Sequence, residues 1–167
     1  REEVLALTHS PATPEELRRL SFPQAVWKDT LRLYPPLPFL PRQNQAEEDI
    51  AGARCPMRSI VTVSPWVVQR HRSLWPQAES FKPERFLEPE SAVLEQQAFL
   101  PFGLGPRRCP GSGFAQQEGL LLLSELVRHF ELLPSARPAP ELQGRLTLRS
   151  AHGVHVRLKR REQAREP

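Results

Sequence analysis

Several features are scarce in this sequence, and each scarcity removes a class of protein. Only two of the 167 residues are cysteines, Cys55 and Cys109, which excludes a framework of disulfide bonds. No apolar stretch approaches the roughly 20 residues that a membrane span requires, since the run that starts at Gly119 ends at Ser124 and Glu125. We therefore expect neither a disulfide scaffold nor a membrane span in this chain.

Lysine is also scarce, because it supplies only three of the 23 basic residues and the other 20 are arginines spread along the chain. A net charge of +4 and a pI of 9.7 permit an acidic partner. The densest basic run, residues 157–161, is typical of a solvated tail. Because the charge is dispersed and no array of base-stacking aromatic side chains is present, we expect no nucleic-acid partner.

The chain starts with Arg1 rather than with methionine, which indicates that upstream residues are absent. No secretory signal peptide is visible in the residues present. We expect a cytoplasmic location.

Proline is abundant, with 19 residues, and it divides the chain into short elements. The composition, 39% hydrophobic and 25% charged, is that of one folded domain. Residues 1–7 predict the end of a helix, and Thr13 and Glu16 predict a capped helix that ends at Leu20. A further helix is expected to start near residues 21–23 and to run over 24–34, where two prolines end it.

Residues 37–65 favour extended structure. The alternation of proline and apolar residues over 37–42 predicts an extended segment. Residues 46–65 predict a β-hairpin with its turn at Ala51 and Gly52 and a β-branched strand over 59–63.

The second half of the sequence predicts one long helix between irregular chain and strands. A short helix is expected over 66–71, and residues 72–97 have the composition of a long functional loop. The strongest helical pattern covers 114–130. A last pair of strands is predicted over 145–149 and 154–158.

The most informative stretch is a glycine-rich turn over residues 102–113, which delivers Cys109 to the start of the long helix. The helix dipole and the unpaired amide groups there favour a thiolate. Pro110 suits the first helical position, where an amide hydrogen would have no partner, and Gly111 leaves space beside the sulfur. These residues alone fit a nucleophile, a redox cysteine, a single axial metal ligand or a buried structural thiol.

The spacing Phe102-x-x-Gly105-x-Arg107-x-Cys109-x-Gly111 resembles the haem-binding loop of the cytochrome P450 family. The resemblance implies haem b (iron protoporphyrin IX) as cofactor, with the Cys109 thiolate as the proximal iron ligand that favours O–O cleavage. It implies that Phe102 shields the sulfur and that Arg107 binds a haem propionate through charge-assisted hydrogen bonds. By the same resemblance, Gly105 permits the tight loop and Gly111 leaves room for the porphyrin.

A second part of the resemblance lies upstream of this loop. Asp29 and Arg32, three residues apart on one helix face, resemble the family's Glu-x-x-Arg motif on its K helix. Residues 81–86 resemble the segment that adds a second arginine, Arg85, and in the family these three residues form a buried ion cluster that fixes the cysteine loop. Because Asp29 is one methylene shorter than the family's glutamate, we expect a strained or water-bridged cluster.

Three further positions carry weaker expectations. The family has Pro-x-Gly where this chain has Arg58 after Pro56 and Met57, and Arg58 is costly there if the position needs a positive φ. Arg42 resembles an arginine that reaches a propionate. His71 resembles a histidine of the propionate side or of the packing, and a surface position is the alternative for both residues.

The resemblance covers the whole chain, residues 1–167, but only the C-terminal portion of the family's single domain. It implies a mainly α-helical fold with small β-sheets (α+β), incomplete as given. Its parts are helices leading into and including the K helix over 17–35, the cysteine loop and L helix over 99–130, and a C-terminal hairpin over 145–158. The long distal helix that supplies an acid/alcohol pair in the family has no counterpart in these residues.

The implied function is that of a haem-thiolate monooxygenase, which inserts one oxygen atom from O2 into a small organic substrate. Its electrons would come from a ferredoxin or a flavin reductase, with Arg108 and Arg128 as candidate contacts to an acidic redox partner. The fragment as given is not expected to be active alone. A peroxide-using or isomerising enzyme of the same fold is an alternative, and the departures at Asp29 and Arg58 leave open a non-catalytic, truncated or degraded haem-binding relative.

Overall fold

The structure is a computed structural model that describes residues 2–7 and 13–161, so Arg1 of the first predicted helix lies outside it. The helices of this part are α1 Glu2–Leu5, α2 Pro14–Arg19, α3 Ser21–Leu33, α4 Pro65–Val68, α5 Ser91–Ala98 and α6 Ser112–His129. The strands are β1 Leu40–Gln43, β2 Glu48–Ile50, β3 Ala53–Cys55, β4 Ile60–Val63, β5 Phe130–Pro134, β6 Leu142–Gly144, β7 Leu148–Ser150 and β8 Val156–Arg160. The strands form separate two-stranded antiparallel sheets, which confirms the expected fold class of helices with small sheets. No helix within the described ranges has both the length and the apolar character to cross a membrane.

The first half follows the sequence signals for helix ends. The Thr13 hydroxyl accepts the Glu16 N–H at 3.2 Å, while the Glu16 carboxylate accepts the Thr13 N–H at 3.1 Å, so the predicted cap of α2 is confirmed. Helix α3 begins at Ser21, within the predicted start near residues 21–23, and ends before the two prolines at 35 and 36.

Helix α3 contributes to both apolar clusters of the core. One cluster joins α3 to α5 and to the segment before it, and contains Ala25, Trp75, Ala78, Phe86 and Ala98. The other joins the N-terminal helices to α6, with Trp27 of α3 packed against it, and contains Val4, Leu17, Leu20 and Leu120. The burial of apolar side chains on two sides of α3 fixes its place in the fold.

The extended region pairs differently from the prediction. β2 and β3 form a hairpin whose turn, Ala51 and Gly52, has φ of 53° and 79°, as expected. However, β4 pairs with β1, with Gln43 opposite Ile60, and is not a strand of that hairpin. Arg58, just before β4, has φ of 68°, so the left-handed conformation that favours glycine is present at this position.

Three expectations for the second half are corrected. Residues 72–97 are not wholly irregular, because they contain a 3-10 turn, Pro83–Phe86, and most of α5. The short helix predicted over 66–71 corresponds to α4, which ends at Val68 and not at residue 71. Helix α6 starts at Ser112, so Pro110 lies in the turn before the helix and not in its first helical position.

The predicted pairing of 145–149 with 154–158 is wrong. β7 pairs with β6, and β8 pairs with β5, the strand that continues directly from α6. The β5–β8 register places Leu132 opposite Leu158 and Glu131 opposite Lys159, whose ammonium lies 3.6 Å from the carboxylate. These cross-strand pairs stabilise the β5–β8 sheet. A hairpin formed within residues 145–158 would lack them.

Candidate functional site

The cysteine loop, residues 99–111, connects α5 to α6 and is closed by its own backbone. The Cys109 N–H donates to the Phe102 carbonyl at 2.9 Å, which joins the two ends of the motif. Gly105 has φ of 68° and begins a short 3-10 turn, so its lack of a side chain is used there. Phe102 is half-buried, whereas Cys109 is exposed, unlike a buried structural thiol.

The space beside the Cys109 sulfur is kept open by Gly111, the N-cap residue of α6. A Cβ at Gly111 would lie 3.8 Å from Cys109 Sγ, in van der Waals contact with the sulfur. Cys109 lies two residues before this N-cap, so its sulfur is near the N-terminus of an 18-residue helix. The dipole of a helix favours negative charge at that end.

The donor set of this site is a single thiol. Within residues 2–7 and 13–161, no group of three or more His, Cys, Asp or Glu side chains is placed to hold a metal ion. Such a donor suits iron that is already held by a porphyrin better than a bare ion that needs several protein ligands. The exposed sulfur and the absence of a side chain at Gly111 fit a flat group of that kind.

The other predicted haem contacts lie on the surface. Arg107 is exposed at the end of the 3-10 turn. Arg42 is exposed in β1, where its guanidinium donates to the Pro41 carbonyl at 2.8 Å, and His71 is exposed after α4. In the part of the chain that the structure describes, the side chains of Arg42 and His71 make no hydrogen bond to the cysteine loop, and their roles stay predictions.

The structure brings Asp29, Arg32 and Arg85 into one buried cluster. The Asp29 carboxylate is 0% exposed; its Oδ1 accepts from Arg32 Nε at 2.6 Å and forms an ion pair with Arg85 Nε at 3.3 Å. Its Oδ2 accepts the Lys82 backbone N–H at 2.6 Å. Of the two expected alternatives, a strained or a water-bridged cluster, the water-bridged one is wrong, because the shorter Asp29 reaches its partners directly.

The two arginines of the cluster bind backbone carbonyls of the segment between α4 and α5. Arg32 donates to the carbonyls of Gln69, Ala78 and Ser80 at 2.6–3.0 Å. Arg85 donates to the carbonyls of residues 76, 77 and 80 at 2.8–3.3 Å. Burial lowers the pKa of Arg85, and the nearby charge of Arg32 lowers it further, while Asp29 opposes both effects. The cluster thus fixes residues 69–82 directly.

The two candidate contacts for a redox partner are placed differently. Arg108 is exposed and lines a groove of about 710 Å³ bounded by α3, α5, the cysteine loop and α6. Arg128 is half-buried and donates to the carbonyls of Val4 and Leu7 at 3.2–3.3 Å. Arg128 therefore ties α6 to the N-terminal residues, and its guanidinium is not a free surface charge.

Comparison with known proteins agrees with the geometry of the loop. A family model described as Cytochrome P450 matches residues 1–155. The chain is similar to cytochrome P450 4V2 of Pongo abelii, 35% identical over 167 residues, which cover 99% of this chain and 32% of that protein. It is also similar to cytochrome P450 4d2 of Drosophila melanogaster, 38% identical over 152 residues, which cover 91% and 30% of the two chains.

A solved structure has the same fold. The crystal structure of a cytochrome P450 (CYP102L1) matches with a TM-score of 0.84 at 30% identity, covering 96% of this chain and 37% of that one. The chain spans about a third of the length of the curated relatives that it matches.

These matches, with an exposed cysteine in the loop just before α6, define the class as haem-thiolate proteins. The chain belongs to the cytochrome P450 family of monooxygenases. The family implies a haem cofactor, and its members use small-molecule substrates and redox partners.

Proposed function

We propose that this chain is the proximal, haem-binding part of a monooxygenase that inserts one oxygen atom from O2 into a small organic substrate. The observation that carries the proposal is the exposed Cys109 thiol in a loop closed by the hydrogen bond from Cys109 N to Phe102 O. When bound, haem b would supply the chemistry that activates oxygen.

The residues of the cysteine loop would hold the haem in three ways. Cys109 would ligate the iron through its sulfur, which lies just before the N-terminus of α6. Phe102, which is half-buried in the same loop, would restrict the access of water to the Cys109 sulfur. Arg107 would bind a propionate through charge-assisted hydrogen bonds, with Arg42 and His71 as further candidates on the propionate side.

Electrons would come from a separate ferredoxin or flavin reductase with an acidic surface. Arg108 supports this part of the proposal, because it is exposed at the edge of the groove next to the loop. Lys28, which lines the same groove, is already paired with the Glu95 carboxylate at 2.7 Å. Among the described residues that line this groove, Arg108 is the basic residue without an ion-pair partner, which supports charge steering toward an acidic partner.

A second candidate is a non-catalytic, degraded haem-binding relative. One observation favours it: Arg58 occupies a left-handed backbone position that costs about 1 kcal/mol for a residue with a side chain. The direct contacts of Asp29 favour the enzyme, because the shorter acid still holds both arginines.

The cytoplasmic location also stays a prediction.

The test uses the full-length protein supplied with haem, reduced and exposed to carbon monoxide. We expect a strongly red-shifted Soret band, which requires thiolate ligation, and its loss in Cys109→Ala. Cys55→Ala is the matched control and should keep the band, since Cys55 lies in β3 and is only half-buried. Absence of haem uptake by the unmodified protein would contradict the whole proposal.

The same preparation separates the two candidates and tests the partner surface. Turnover of an organic substrate supports the enzyme, whereas a thiolate spectrum without turnover supports the non-catalytic relative. Arg108→Glu should slow reduction by an acidic donor protein without changing the carbon monoxide spectrum. An unchanged reduction rate would remove Arg108 from the partner surface.

A further inference from the structure

Gln69 is a fully buried polar residue that the sequence patterns did not single out. It is the C-cap residue of α4 and is 0% exposed. Its side-chain Nε2 donates to the carbonyls of Leu31 and Arg32 at 3.0 and 2.9 Å. Its Oε1 accepts the Leu100 N–H at 2.6 Å. Two carbonyls on one side and one N–H on the other define the orientation of the amide.

The two carbonyls that bind Gln69 have lost their ordinary partners. In a continuing helix, the carbonyls of Leu31 and Arg32 would accept from the N–H groups of residues 35 and 36. Both of those residues are prolines and have no N–H. The Gln69 amide therefore replaces two helical donors that Pro35 and Pro36 cannot provide.

The other end of Gln69 reaches the cysteine loop. Leu100, whose N–H donates to Gln69, is buried and is the second residue of the loop. The Leu100 carbonyl accepts the Gly103 N–H at 3.1 Å, and the Phe102 carbonyl accepts the Cys109 N–H at 2.9 Å. A short series of contacts thus runs from the end of α3 through Gln69 to the residue that carries the sulfur.

The ion cluster holds the same glutamine by its backbone. Arg32 donates to the Gln69 backbone carbonyl at 3.0 Å, and the Gln69 backbone N–H donates to the Pro65 carbonyl at 2.9 Å. The carbonyls bound by Arg32 and Arg85 lie in residues 69–80, before the cysteine loop. The side chain of Gln69 is therefore a hydrogen-bonded link from this cluster to the loop, beside the apolar contact between Phe86 and Phe99.

We propose that Gln69 is a positioning residue, which fixes the start of the cysteine loop against the end of α3 and thereby places Cys109. The proposal rests on the proposed ligation of haem by Cys109. The Oε1 atom of Gln69 positions the loop by accepting the Leu100 N–H. The Nε2 group stabilises the end of α3 by donating to its two free carbonyls. The two halves of the side chain are therefore separable by mutation.

The experiment compares Gln69→Leu with Gln69→Glu in the full-length protein. Leucine removes the acceptor and both donors, whereas glutamate keeps an acceptor for the Leu100 N–H and loses the donors. Hydrogen exchange of the cysteine loop is measured without haem, and the carbon monoxide spectrum is measured with haem. In Gln69→Leu we expect about tenfold faster exchange at Leu100, as for a lost hydrogen bond of a buried donor, and a smaller share of the red-shifted band.

Asn44→Leu is the matched control. Asn44 is also a buried amide, and it donates to the carbonyls of Ala46, Cys55 and Pro56 at 2.7–3.1 Å in the extended region. This variant should lower the thermal midpoint while leaving the exchange of the loop and the spectrum unchanged. If Gln69 contributes to general stability alone, Gln69→Leu should likewise lower the thermal midpoint and leave loop exchange and the spectrum unchanged. That result would overturn the proposal.

Gln69→Glu keeps the test decisive if the leucine variant does not fold. It should lower the thermal midpoint, because the carbonyls at the end of α3 lose their donors, but keep Leu100 protected and the band red-shifted. Loss of protection in this variant would contradict the role of the acceptor atom. If the unmodified protein lacks the band altogether, the proposed function fails, and the exchange data still decide whether Gln69 holds the loop.

Discussion

Helix α3 makes two kinds of interface, one charged and one apolar. On one face, the buried Asp29 and Arg32 bind the segment between α4 and α5 through carboxylate and carbonyl contacts. On another, Trp27 lies against Gly119 of α6 so closely that a side chain at Gly119 would overlap the indole ring. The first interface specifies the path of an irregular chain, and the second sets the distance between two helices.

The difference shows how irregular and regular elements are held in place. Residues 69–82 form few regular backbone hydrogen bonds, so their carbonyls need donors from elsewhere, and buried arginines supply them. Helices satisfy their own backbone, so α3 and α6 need only complementary shape at their contact. Because α6 begins at the cysteine loop, both interfaces bear on the place of Cys109.

The largest effect is expected from breaking the charged interface. Asp29→Ala leaves Arg32 and Arg85 buried without their carboxylate, and we expect a loss of about 3–5 kcal/mol in the free energy of unfolding. Urea unfolding of the full-length protein measures this loss. Glu47→Ala is the control, because it breaks an Arg54–Glu47 pair of 2.9 Å that is exposed, and it should change little.

Asp29→Glu sharpens the same point. It restores the longer acid of the family pattern in a site where the aspartate already contacts its partners directly, so the added methylene has to be accommodated. We expect a smaller loss than in Asp29→Ala. Equal losses in the two variants would show that the shape of the site, and not its charge, decides the stability.

The apolar interface should give a smaller loss. Gly119→Ala introduces a methyl group into the Trp27 ring, and overpacking of this kind costs about 1–3 kcal/mol. Gly113→Ala is the matched control on the same helix, because a Cβ there meets no atom within 4 Å. Alanine favours helix over glycine by up to about 1 kcal/mol, so Gly113→Ala should be neutral or stabilising. A loss in both variants would attribute the effect to the α6 backbone instead of to Trp27.

The charged interface could be predicted in part from the sequence, and the apolar one could not. Asp29 and Arg32 have the spacing of one helix face, and the segment with Arg85 resembles that of the family, whereas Gly119 looks like a weak point inside a helix. Its role depends on Trp27, which lies on another element. Gln69 was missed for the same reason, since its partners at 31, 32 and 100 are distant in sequence.

The fold shows the same limit. The cap at Thr13 and the end of α3 before the prolines are local signals, and both were predicted. Helix α5 was missed because Pro76, Pro83 and Pro89 suggest loop and because its N-cap residue, Glu90, makes no side-chain cap. The strand β8 was given the wrong partner, since β5 follows α6 without a turn signal.

The smallest effect tests whether charge on α3 matters only where it is buried. Lys28 lies one residue before Asp29 and pairs with Glu95 of α5 at 2.7 Å, but 28% of its side chain and 23% of that of Glu95 are exposed. Solvent screens such a pair, so a double-mutant cycle of Lys28→Met and Glu95→Gln should give a coupling energy of about 0.5–1 kcal/mol. The Lys28 ammonium also lies 5.7 Å from the centre of the Phe86 ring, and the cycle separates its pairing with Glu95 from that contact. A coupling as large as the loss in Asp29→Ala would mean that the groove between α3 and α5 excludes water, and the contrast between the buried cluster and this pair would fail.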